Sequence, residues 1–104
     1  MKDNVRAHLT AIAARHDWST EDDTLVEILF EANTVWFGDD EKHRWWILFR
    51  RVVEVEGMFI AFTDCKNTGD NSPRDAGWEF DPSTIEEVKP RTRTVEITEY
   101  IPVP

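Results

Sequence analysis

The sequence is poor in several things that usually announce chemistry. It has one cysteine, one tyrosine, three histidines and four glycines in 104 residues. With Cys65 alone, no intrachain disulfide can form and no second thiolate is available for a metal, so Cys65 reads as a spectator thiol. The glycines are scattered, which excludes a glycine-rich phosphate loop. No apolar run approaches the roughly 20 residues of a membrane-spanning helix, and the amino terminus lacks the apolar core of a secretory signal. No membrane association and a cytoplasmic location are therefore expected.

Positive charge is also scarce. Twelve basic residues against 21 acidic ones give a formal charge of -9, which disfavours direct binding to nucleic acid or to an anionic membrane. The same charge favours a basic partner protein, or a protein site that ordinarily holds nucleic acid. What is present in quantity is apolar and aromatic: 40% of residues are hydrophobic and five are Trp, enough for one small domain, residues 1–104, with its own core.

The pattern predicts an α+β fold. From Asn4 to His16, Val5, Leu9, Ile12, Ala13 and His16 share one face at helical spacing, Asp3 or Asn4 can cap the start, and Arg15 and His16 suit the last turn. His8 and His16 lie eight apart, whereas a helical pair of metal ligands wants about four. The next segment supports two readings. Ser19 with Asp22 resembles a capping box, and Leu25, Ile28, Leu29 and Ala32 keep helical spacing. The β-branched and aromatic residues Val26, Ile28 and Phe30 alternate with Glu27, Leu29 and Glu31, and on that ground a strand is preferred here. Residues 24–101 are then mainly antiparallel strands, including a short strand Val35–Phe37 that Gly38, Asp39, Asp40 and Glu41 end.

His43 to Val55 is the strongest strand signal. Its odd positions Trp45, Ile47, Phe49, Val53 and Val55 are apolar, with Arg51 the exception, while Arg44, Trp46, Leu48, Arg50, Val52 and Glu54 make a mixed even face. If Glu56-Gly57 is a two-residue hairpin loop, Val55 pairs with Met58, Val53 with Ile60 and Arg51 with Phe62, while Glu54 meets Phe59 and Val52 meets Ala61. A slip of one residue would scramble both faces. Residues 64–77 are polar and rich in turn formers, a loop longer than a hairpin needs. A calcium loop starting at Asp64 and ending at Asp75 fails, because Lys66 holds a ligand position and the last ligand is not Glu. Trp78–Phe80 returns to apolar character, Ile85–Val88 is a short turn of helix or extended chain, and Thr92–Ile101 alternates well before Pro102 and Pro104 stop it. The expected architecture is one amino-terminal helix on an antiparallel sheet of about five strands.

No nucleophile elbow, paired metal-ligand histidines or Cys–His pair is found, so no catalytic, cofactor or metal site is assigned and the chain is expected not to be an enzyme. The candidate contact residues for a partner are Trp46, on the mixed face, and Trp36, with the acidic turn residues Asp39, Asp40, Glu41, Asp70 and Asp75.

One resemblance can be put on particular residues. Arg50–Gly57, Phe59–Phe62, Thr68-Gly69-Asp70, Asp75–Ile85 and Glu87-Val88 resemble small phage- and prophage-encoded proteins of actinobacteria, a family to which no activity is assigned. The resemblance covers about the second half of the chain and carries over no catalytic residues. It implies a protein that binds and redirects a host factor, in host takeover or anti-defence, with the acidic surface standing in for nucleic-acid charge. The alternative is a self-associating structural or virion-associated module, a homo-oligomer built through sheet edges and Trp faces.

Overall fold

The computed structural model describes residues 1–44, 46–67 and 78–104. Two helices, α1 (Asp3–Arg15) and α2 (Asp22–Glu31), precede four antiparallel strands: β1 (Asn33–Lys42), β2 (Trp46–Val55), β3 (Met58–Asn67) and β4 (Glu86–Val88). The strands lie in sequence order across the sheet, with a short 3-10 turn, Pro82–Thr84, leading into β4. The fold is α+β, as the sequence predicts, with two helices rather than one and four strands rather than about five.

α1 forms where its apolar stripe requires it, burying Val5, Leu9, Ile12 and Ala13. Neither Asp3 nor Asn4 caps it. Lys2 takes the N-cap position without a side-chain bond, and the Asn4 amide instead donates to Glu87 Oε1 (2.7 Å), tying α1 to β4. At its other end Asp17 adopts a left-handed φ of 58°, and the N–H groups of Asp17 and Trp18 bond back to the carbonyls of Ala14 and Ala13. This is the Schellman arrangement, with Asp17 where glycine is usual.

The strand expected over Leu25–Phe30 is helix α2. Both periodicities are present in the sequence, and packing decides between them. Leu25 and Leu29, four apart, are wholly buried, whereas the alternating set Val26, Ile28 and Phe30 is only partly covered. Each fully buried leucine contributes about 1.5–3 kcal/mol, which outweighs the few tenths that separate helix and strand propensities. Asp22 and Asp23 in the first turn add a favourable interaction with the helix dipole. The capping box read at Ser19 and Asp22 does not form: Glu21 is the N-cap, without a side-chain bond, and Ser19 Oγ accepts from the Glu21 N–H (3.1 Å) in the turn before the helix.

The hairpin registers as the sequence requires: Val55–Met58, Glu54–Phe59, Val53–Ile60, Val52–Ala61 and Arg51–Phe62. Glu56 (φ 44°) and Gly57 (φ 86°) are both left-handed, the conformation of the two-residue turn that matches strand twist. Other boundaries move. Gly38–Glu41 do not end β1 but lie within it, around an irregularity where Asp39 has φ 54°. Residues 64–67, expected in a loop, continue β3, and the rest of that expected loop, 68–77, falls outside the described residues; Trp78–Phe80, which follow it, form no strand. Ile85–Val88 resolves into a buried Ile85 followed by β4.

Both helices pack on one face of the sheet, over Val53, Val55, Ile60 and Phe62, with Ile85 closing the core. Arg51, the charged residue on that face, is explained by α2. Its guanidinium donates to the carbonyls of Phe30 (2.9 Å) and Ala32 (3.3 Å), to Thr34 Oγ1 (2.7 Å) and to Asp64 Oδ2 (3.4 Å), and it lies 5.4 Å from the Phe62 ring centroid. A strand side chain thus supplies the cation at the C-terminus of a helix whose own last turn has none.

Candidate functional site: the open sheet face and the β1 edge

The even face of β2 turns away from the helices. On it the register sets Trp36 of β1 beside Val52, Val52 beside Ala61 of β3, and Phe59 of β3 beside Val88 of β4. Together with Pro90, these side chains line a groove of about 580 Å³, whose polar members are Arg50, Lys89 and Arg91. Three cations and no carboxylate line this groove, in a chain with a net charge of -9. One of the three is already committed: Arg50 donates to the Thr84 carbonyl (2.8 Å) and to Glu86 Oε1 (2.7 Å), which pins the turn before β4. Lys89 and Arg91 are exposed and make no ion pair among the described residues.

Trp36 forms one wall and is half exposed, at 48%. Its position depends on Gly38: a β-carbon there would lie 3.0 Å from the indole ring, so a larger residue would displace the wall. Phe37, its neighbour on the other face, is 66% exposed and meets Phe49 edge to face. β1 has no buried residue and, among the described residues, bonds to a neighbour, β2, on one side only. Asp39, Asp40 and Glu41 follow on the same strand, all exposed, with Glu41 Oε1 3.1 Å from His43 Nε2.

Of the residues singled out from sequence, four are therefore brought onto β1: Trp36, Asp39, Asp40 and Glu41. Trp46 begins β2 beside the end of β1, its ring 5.7 Å from that of His43 and its indole N–H without an acceptor among the described residues. It does not line the groove. Asp70 and Asp75 lie outside the described residues. Sequence reasoning missed Val52, Phe59, Val88, Lys89 and Arg91. A signal was present in the hairpin register, which already put Val52 opposite Ala61 on the face away from the core, but nothing in the pattern added β4 and the residues after it.

The ion pairs of the helices are peripheral to this surface. Arg6 binds Asp22 between α1 and α2, and Arg15 binds Glu56 at the hairpin turn. Hydrogen bonds from these guanidinium groups hold both carboxyls below the usual carboxylate range. Burial, and to a lesser degree Asp64, push the Cys65 thiol up, away from the thiolate form a nucleophile or metal ligand requires. No group of His, Cys, Asp and Glu among the described residues has the arrangement of a metal site, and no helix among them is long and apolar enough to cross a membrane.

Comparison with known proteins finds no matching family, no similar curated protein and no similar solved structure. The surface itself is the basis for any functional statement.

Proposed function

We propose that this chain is a protein-binding module rather than an enzyme, and that the groove on the helix-free face of the sheet is where it holds its partner. The observation that carries this reading is the composition of the groove: Trp36, Val52, Phe59 and Val88 offer apolar area, and Lys89 and Arg91 stand at its edge with no ion-pair partner among the described residues. Such a site suits an extended peptide segment that alternates apolar and acidic residues, with aromatic anchors supplying most of the affinity and cations fixing direction. The partner is a protein of an actinobacterial host, in keeping with the resemblance of the second half of the chain to phage proteins. A nucleic-acid-mimicking contact would instead draw on Asp23, Glu27 and Glu31, an exposed row four residues apart on α2.

The test is capture of host proteins from a nuclease-treated actinobacterial lysate by the tagged full chain, alongside Trp36→Ala and Arg91→Glu. The expected result is a host protein retained by the wild type and lost by both variants, with binding weakened as salt rises. Retention by all three would exclude the groove. Recovery of the bait alone would exclude this reading for that host.

Self-association is a second reading, and a separate observation favours it. The segment after β4 alternates apolar and polar residues like a strand, yet pairs with no strand among the described residues.

A further inference from the structure

Residues 92–101, expected from their alternation to be a strand, form no regular element and join no ladder among the described residues. Val95, Ile97, Tyr100 and Ile101 are 70–96% exposed, an apolar display that a folded chain ordinarily covers. The radius of gyration, 18.0 Å, well exceeds the value of about 13 Å expected for a compact chain of this length, and the longest dimension is 70 Å. The opposite edge of the sheet shows the complementary defect. β1 presents an unpaired edge flanked by exposed Val35, Trp36 and Phe37.

We infer that the segment 92–101 of one copy adds as an antiparallel strand to the β1 edge of a second copy, each copy giving and receiving one strand in a closed two-fold dimer. This develops the self-association reading and rests on it. Charge order sets the direction. Along β1 the apolar residues Val35–Phe37 come first and the acids Asp39, Asp40 and Glu41 follow; in the segment after β4 the cations Arg91 and Arg93 come first and Val95 and Ile97 follow. Only antiparallel pairing matches both. With Val95 beside Phe37 and Ile97 beside Val35, Arg93 and Arg91 fall alongside Asp39–Glu41, whereas parallel pairing would set apolar residues against charges. Neither arginine has an ion-pair partner among the described residues. A second copy is the natural acceptor because β4 and β1 are the two edges of one sheet. They are three strand spacings, about 14 Å, apart. Residues 89–91 already lie on the open face with Trp36, yet 92–101 form no ladder with their own β1. Between two copies the exchange is reciprocal, each β1 edge being covered by the segment of the other copy.

The experiment is sedimentation velocity of the full chain across a dilution series. Wild type is expected to dimerise. Glu96→Pro combined with Ile97→Pro removes a backbone donor on both sides of the strand, so one loss must fall on the ladder, and the result should be monomer with an unchanged circular dichroism spectrum of the folded body. Arg91→Glu with Arg93→Glu should weaken the dimer roughly tenfold, two surface ion pairs becoming repulsions. Adding Asp40→Arg and Glu41→Arg to that chain should bring the affinity back; Asp39 is left alone because of its left-handed backbone. A chain monomeric at every concentration would overturn self-association altogether. A dimer indifferent to the proline and charge variants would leave self-association standing and overturn strand exchange.

Discussion

The two ends of the hairpin β2–β3 differ sharply although they belong to the same pair of strands. At the turn end, Val53, Val55, Ile60 and Phe62 are 0–6% exposed beneath the two helices. At the far end, no described residue from Trp46 to Arg50 or from Thr63 to Asn67 is buried. The apolar content hardly changes, since Trp46, Ile47, Leu48 and Phe49 are as hydrophobic as the core residues. What changes is the supply of a covering layer: α1 and α2 together are long enough to cover only one end of one face. Hydrophobic sequence therefore marks surface that wants burial, while helix length decides which part receives it from the same chain.

The largest effect expected from this contrast compares two phenylalanines three residues apart on β3. Phe62→Ala removes a wholly buried side chain and should cost about 3–5 kcal/mol in denaturant unfolding. Phe59→Ala, on the open face, should cost about 1 kcal/mol or less and act on binding instead. Equal losses of stability would show that the groove is part of the core.

Arg51 sharpens the same contrast between the two faces. Replacing it by Met takes this donor from the Phe30 and Ala32 carbonyls and leaves the Asp64 carboxylate with the Cys65 N–H alone of the two donors described, for an expected loss of about 1–3 kcal/mol. Arg50→Met, acting on the other face, should loosen the turn at Pro82–Thr84 and β4 with a smaller global effect.

The hairpin was legible in the sequence because a two-residue turn fixes the parity of every following pair: once Glu56-Gly57 is taken as the loop, no freedom of register remains. α2 was not legible in the same way. Leu25, Leu29 and Ala32 satisfy a helix, Val26, Ile28 and Phe30 satisfy a strand, and only tertiary packing shows which set is buried. Thr92–Ile101 carries the opposite lesson. Its alternation predicts a strand, yet the last strand of the sheet is β4 and no strand forms over 92–101, because pairing needs a neighbour as well as a pattern. The acidic residues of β1 could be named in advance as exposed. The groove could not, because it is assembled from four strands and the residues after the last of them.

The smallest predicted effect concerns pH and the anchoring of the helical layer. Asp22, paired with Arg6, and Glu56, paired with Arg15, have carboxyls held below their ordinary range in the folded chain. The stability they contribute is therefore full above the unfolded-state values, about 4, and is lost as pH falls through the lower folded-state values. Urea midpoints should fall through that window for the wild type, and less steeply for Arg6→Gln and Arg15→Gln. An identical pH slope in all three would remove these pairs from the account.

The central claim is that the surface left uncovered by the helices is the surface that binds. Amide hydrogen exchange of the full chain over a range of concentrations tests it most directly. The account predicts that β1 and residues 92–101 gain protection together as concentration rises, while α1, α2 and the Val53–Val55 end of β2 keep the protection they already have. Protection gained on the helices alone, with β1 and 92–101 exchanging freely at every concentration, would contradict it.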